Sequence, residues 1–151
     1  MIPITDDIKE YLNKVRTTDK EIDAKEEIKE QMRKRLVNVK ATQYRDIDVM
    51  GGERKTSEDR ILDYIEYSEQ INELIDKLID MKMTVVEEIE NIDDGLYRTL
   101  LTERYINNKN WEVVANILGY DERHTLRLHN DALREFERCN EKCQQMSLYD
   151  S

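Results

Sequence analysis

Proline is nearly absent from this 151-residue chain, with one at Pro3, and there are only four glycines. Both residues punctuate sheets and break helices, so their scarcity excludes a turn-rich, many-stranded fold and favours long helices. No alternation of apolar and polar residues is long enough to read as a strand. Cysteine occurs twice, as Cys139 and Cys143 one helical turn apart, with no second pair and no histidine close by. That is neither a disulfide framework nor a zinc site, and no metal is expected. Apolar residues make up 38%, too few for one large globular core but enough for elongated helices that share a narrow seam. No apolar run reaches the length of a signal-peptide core or a membrane span, which points to the cytoplasm and to no membrane partner.

Catalytic material is equally sparse. His124 and His129, the two histidines, stand five residues apart and so about 140° from each other around a helix, where they cannot share a metal. The carboxylates alternate with Lys at helical spacing, as on solvated rods. The expectation is a non-enzymatic protein without a cofactor.

Charge is what the chain has in abundance: 38% of its residues are Asp, Glu, Lys or Arg, for a formal net charge of −10. Such a balance argues against a nonspecific nucleic-acid coat, which draws its binding energy from clustered Lys and Arg. The acidic excess lies in residues 1 to 95, with 16 positive and 25 negative side chains, whereas residues 96 to 138 carry seven of each.

Thr5, Asp6 and Asp7 offer N-caps for a first helix, and Asp7 with Glu10 has capping-box spacing. From Ile8 to Val39 apolar residues recur mostly at three, four or seven, interrupted at Thr17-Thr18-Asp19, and one helix with a weak point is expected there. The pattern fades from Thr42 to Ser57, and Gly51-Gly52 in a polar stretch reads as the loop of a helical hairpin. The next helix, capped by Thr56 or Ser57, keeps heptad spacing at Tyr64, Tyr67, Ile71, Leu74, Leu78, Met81, Val85 and Ile92. Ile61, Ile65, Ile75, Ile79 and Ile89 widen its stripe. A two-helix hairpin covers only part of so wide a stripe, so a homodimer or higher oligomer is expected, with Tyr64, Ile71, Leu74, Leu78, Met81 and Val85 as its seam.

Asp93-Asp94-Gly95 ends that helix and caps a buttress with Leu96, Leu100, Leu101 and Tyr105 facing inward. Then, from Trp111 to Phe136, two short periodic segments are joined in the pattern of a helix-turn-helix. Val114, Ala115 and Leu118 face the second helix, Gly119 sits where the turn needs positive φ, and Asp121 caps that second helix. Thr125, Leu128, Ala132 and Phe136 make a core face. Arg123, Leu126, Arg127 and Asn130 make another, with two guanidinium forks, an amide and a branched apolar group, all able to read base edges in a major groove. Asn108, Lys109, Asn110 and His124 lie at the two helix starts, where a DNA phosphate would approach.

Leu101, Arg104-Tyr105-Ile106, Trp111, Ala115, Leu118-Gly119-Tyr120, Arg123, Leu128-His129 and Ala132-Leu133 together resemble the C-terminal domain of small phage transcriptional regulators of the ArpU and RinA kind. Those domains are similar in turn to the fourth conserved region of sigma factors. The resemblance covers residues 96 to 138 well and the rest only in general layout. Such families usually place Ser or Thr at the cap where this chain has Asp121. The resemblance implies a phage or prophage regulator in a bacterial host cell that activates late genes, with RNA polymerase as a candidate partner.

The expectation is therefore an all-α protein: a long, coiled-coil-like helical hairpin over residues 1–93 that oligomerises, a small helix-turn-helix domain over 94–138 that binds double-stranded DNA, and a disordered tail over 139–151. The runner-up functions are the small subunit of a phage terminase, which also pairs a helix-turn-helix with oligomerising helices, and a helical protein-interaction module.

Overall fold

The computed structural model describes residues 6–42 and 56–149, with side chains over 7–37 and 56–141. The cap at Thr5, the expected loop with Gly51-Gly52 and the last two residues lie outside them. Among the described residues all regular structure is helical, and the fold is all-α. Helix α1 spans Asp6–Thr42, α2 Ser57–Glu90, α3 Gly95–Leu101, α4 Trp111–Leu118 and α5 Glu122–Tyr149. A π-helical turn, Thr102–Ile106, continues α3.

The helix starts follow the local chemistry of the sequence. Thr56 and Asp59 cap α2 reciprocally, each side chain accepting the other's backbone N–H at 3.2 Å. Asp94 caps α3 by accepting from Leu96 N at 2.9 Å. Helix α1 runs through Thr17-Thr18-Asp19 without a break, as expected of one helix with a weak point.

Two compact units emerge. The larger comprises the chain to Asp19 and from Leu78 onward, so it joins the first turns of α1 and the last turns of α2 to everything after them. Leu12, Val15, Val85, Ile89, Ile92, Leu100, Leu101, Val114, Ala132, Leu133 and Phe136 form its core, all nearly or wholly buried. Helices α3 and α4 pack on α5. Across the start of α1, Tyr11 donates to the Glu88 carboxylate, Asp19 pairs with Lys82 at 3.0 Å, and the Tyr11 and Phe136 rings meet at 6.4 Å.

The smaller unit is Lys20–Lys77, in which Ile22 and Ile71 are buried and the Lys29 ammonium lies 6.0 Å from the centre of the Tyr64 ring. Ile28, Val37, Ile61, Leu62 and Ile65 are exposed there.

Two sequence expectations look different in the structure. The tail, expected to be disordered from residue 139, is helical to Tyr149. Cys139 is buried, and the Asn140 amide donates to the carbonyls of Phe136 and Glu88 while accepting from Asn91. Polar anchoring to the end of α2 thus takes over where the apolar pattern thins. Of the expected oligomer seam, Ile71, Leu78 and Val85 are 1%, 7% and 1% exposed within the single chain, and Tyr64, Leu74 and Met81 are half-buried. The buried three already have their cover and would have to lose it before meeting a second copy.

Candidate nucleic-acid interface

Two short-range features set the turn between α4 and α5. Gly119 adopts φ 79°, the left-handed conformation that an L side chain resists, and its N–H closes the helix end on Ala115 O at 2.9 Å. Asp121 Oδ1 then accepts from His124 N at 2.7 Å and starts α5. At the other end of α4, Asn110 Oδ1 accepts from Val113 N at 3.0 Å. Val114 and Ala115 of α4 are buried, as are Thr125, Ala132 and Phe136 of α5, while Leu118 and Leu128, expected beside them, are half-buried, and His129 and Leu133 are buried as well.

The outer face of α5 carries Arg123, Leu126, Arg127 and Asn130, all exposed. At 100° per residue they lie within an arc of about 100°, opposite the buried Thr125, Ala132 and Phe136. Their electrostatic setting differs from that of the other arginines on the helix. Arg134 pairs with Asp131 at 3.0 Å and Arg138 with Glu135 at 2.7 Å, one turn back in each case. Arg123 and Arg127 have no side-chain hydrogen bond or ion pair with any described residue. Two guanidinium forks therefore stand in solvent on the first two turns, each with its donors open.

The residues expected at phosphates are more committed. Lys109 pairs with Glu103 at 2.6 Å, and this ammonium holds the Glu103 carboxyl below its usual range. Asn110 already uses its side-chain oxygen as a cap. Asn108 takes φ 56°, and its Oδ1 is buried without a hydrogen-bond partner. His124 is half-buried with its ring 4.5 Å from that of Tyr120. What these positions offer an anion is the backbone N–H groups at the starts of α4 and α5, with the Lys109 charge available only in exchange for Glu103.

Behind this face lies a polar cluster that sequence reasoning did not assemble. His129 is 8% exposed, with Nε2 2.6 Å from the Tyr105 hydroxyl and its ring 4.5 Å from Trp111 in an edge arrangement. Burial, and then the charges of Lys9 and Arg104, push its pKa down to about 4, so a neutral ring can accept the hydroxyl proton. The Arg104 guanidinium lies over Trp111 at 4.3 Å and donates to Lys109 O at 3.0 Å. Arg16 of α1 donates to that same carbonyl at 2.9 Å and to Arg104 O at 3.0 Å. The one sequence signal was an arginine four residues after Leu12, on the apolar side of α1.

A family model described as "Protein of unknown function (DUF1492)" matches residues 38–137, most of the chain. The match takes in α2 together with both helices of the turn and leaves out nearly all of α1. No curated protein and no solved structure matches the chain.

Proposed function

The chain belongs to the DUF1492 family, and we propose that it is a sequence-specific double-stranded DNA-binding regulator that reads the major groove with the start of α5. The observation that carries this reading is the contrast along one helix: Arg134 and Arg138 pair with carboxylates one turn back, whereas Arg123 and Arg127, with no ion pair to any described residue, project from the two turns after the Asp121 cap. A guanidinium without a carboxylate partner can give both donors of one edge to guanine O6 and N7, and Asn130 can pair with an adenine edge. Leu126, 43% exposed between them, suits a thymine methyl.

In this reading Arg123 and Arg127 specify bases, the N–H groups at the starts of α4 and α5 position the backbone, and Lys109 adds charge when a phosphate displaces Glu103. The reading domain carries no net positive charge, so binding is modest, steeply salt-dependent and raised by association of copies through the helices before residue 93. Transcriptional control fits the family resemblance of residues 96–138, with a packaging role as the alternative on the same chemistry.

Selection of bound sequences from a random DNA pool, followed by titration of single-base variants, tests the proposal. Arg123→Ala and Arg127→Ala should each remove about 1–3 kcal/mol of discrimination at one base pair. If both variants fold and keep the affinity and base preference of the wild type, the face does not read DNA. A second reading, protein docking, then takes its place, and it has an observation of its own: Val113 and Ile117 on α4 and Tyr120 in the turn are about 40% or more exposed.

A further inference from the structure

Arg16 is the only Lys, Arg, Asp or Glu among the described residues that is buried, with 7% of its surface exposed. Removing a guanidinium from water is unfavourable unless its donors are matched, and no carboxylate among the described residues bonds to this one. Its Nη1 instead donates to two main-chain carbonyls, of Arg104 and Lys109, at 3.0 and 2.9 Å. Burial lowers the pKa of Arg16 and, together with Arg16's own charge, that of Arg104, so two like charges are held close together at an energetic cost. An apolar side chain at residue 16 would avoid that cost and lose the grip.

The gripped segment is the one that seats α4. It runs from the π-helical turn through Asn108, in its left-handed conformation, to the Asn110 cap. Arg104 holds the Lys109 carbonyl a second time and covers Trp111, the first residue of α4. Trp111 meets His129 edge-on, and His129 reaches back to Tyr105. His129 lies between Arg127 and Asn130 in sequence but is turned inward, about 110° around α5 from the middle of the reading face, so whatever fixes its ring fixes the roll of that face.

We infer that Arg16 is a positioning residue for that face: through the carbonyls of Arg104 and Lys109, helix α1 holds the turn that seats α4 and so sets the orientation in which α5 meets DNA. The inference rests on the reading of α5 given above. It makes the first turns of the long helix part of the reading device.

The test uses the full chain as wild type, Arg16→Gln and Arg16→Lys. Trp111 is the only tryptophan, so its emission reports the cluster directly, beside amide exchange over residues 104–118 and titrations against the selected site and a nonspecific duplex. For a folded Arg16→Gln, the Trp111 emission should shift and exchange protection should fall over the turn and α4. Affinity for the selected site should drop at least about fivefold, and by more than affinity for the nonspecific duplex, because base contacts need the orientation of α5 while a nonspecific duplex does not. Arg16→Lys should recover part of the loss. A folded Arg16→Gln with wild-type emission, exchange and site preference overturns the inference. If Arg16→Gln does not fold, Arg16→Lys decides in the same way, and loss of helix content in both variants overturns it too, since Arg16 would then hold the fold as a whole. A wild type that selects no DNA sequence overturns the DNA reading instead, and the emission and exchange arms still show whether Arg16 grips the turn.

Discussion

The two compact units use the same kinds of side chain to opposite ends. In the larger unit, α3, α4, α5 and the adjoining turns of α1 and α2 meet from several directions, and Leu12, Leu100, Leu101, Val114, Ala132 and Leu133 lose all measurable exposure. Among the described residues of Lys20–Lys77 only Ile22 and Ile71 are buried, and Ile61, Leu62 and Ile65 are 41%, 57% and 45% exposed. The difference is geometric. Two helices can cover one stripe on each other, whereas a third and fourth crossing at an angle close off the sides as well. Apolar periodicity therefore encloses a core in the larger unit, with Ile79, Met83, Val113 and Ile117 left outside it, whereas in Lys20–Lys77 it leaves a stripe with room for a partner.

That contrast is broken most strongly by a core truncation. Leu133, 0% exposed, should lose about 2–5 kcal/mol of stability on replacement by Ala, through lost transfer energy and the cavity left behind. Ile65→Ala, on the exposed side of α2, should stay within about 0.5 kcal/mol. Denaturant melts of both variants check this, and equal losses would mean that the two units are packed alike.

A pH titration reaches the same core through its polar side. His129 has a pKa near 4 in the folded chain against 6.5 unfolded, so the unfolded state binds more protons between those values. Stability contributed by the neutral ring is complete above about pH 6.5 and is lost as pH falls toward 4, up to about 3 kcal/mol in all. The groups around the ring are Lys9, Arg104, Tyr105 and Trp111, and the Tyr105 hydroxyl, pushed up to about 12 by burial, does not titrate in this window. His129→Gln should flatten the pH dependence of the melting midpoint between pH 4 and pH 6.5. An unchanged slope in a folded variant would assign that dependence to other groups.

The turn should give a smaller effect. Gly119 sits at φ 79° with open space where a Cβ would stand, so the added methyl of Gly119→Ala meets no neighbour and the change costs only the strain of the backbone conformation, about 1 kcal/mol. Thermal melts of the full chain measure it, and a loss several times larger would mean that α4 and α5 tolerate no adjustment of their angle.

Local rules made the turn, the caps at Asp94, Asn110 and Asp121 and the buried positions Val114, Ala115, Thr125, Ala132 and Phe136 legible in the sequence, because each depends on residues within a few positions of one another. The exposure of Arg123, Leu126, Arg127 and Asn130 follows from the same periodicity. What sequence could not supply was the identity of the neighbour. Arg16 and Lys109 are far apart in sequence, so nothing in either segment announces that a guanidinium on α1 closes the turn before α4. The heptad through Ile71, Leu78 and Val85 likewise told which side of α2 is apolar, and that a hairpin would cover part of it, without telling that these three would be the covered ones.

Association between copies should therefore be sought on the other side of α2. Ile61 and Ile65 are one turn apart and exposed, and Leu62 stands beside them at 57% exposure. If copies associate through this stripe, changing Ile61 and Ile65 together to Lys should leave helix content intact and alter stability by less than about 1 kcal/mol in the separated chain, since neither side chain is part of a core. The mass in solution should nevertheless fall from that of an oligomer to that of one chain, because two ammonium groups would have to be desolvated at the contact. Light scattering across micromolar concentrations reads that change, with Leu133→Ala as the contrasting variant that should lose stability in the unit it belongs to. A double variant that keeps the wild-type oligomeric mass would move the contact elsewhere on the chain, and a wild type that remains a single chain at those concentrations would leave the reading helix without the second copy on which its affinity is proposed to depend.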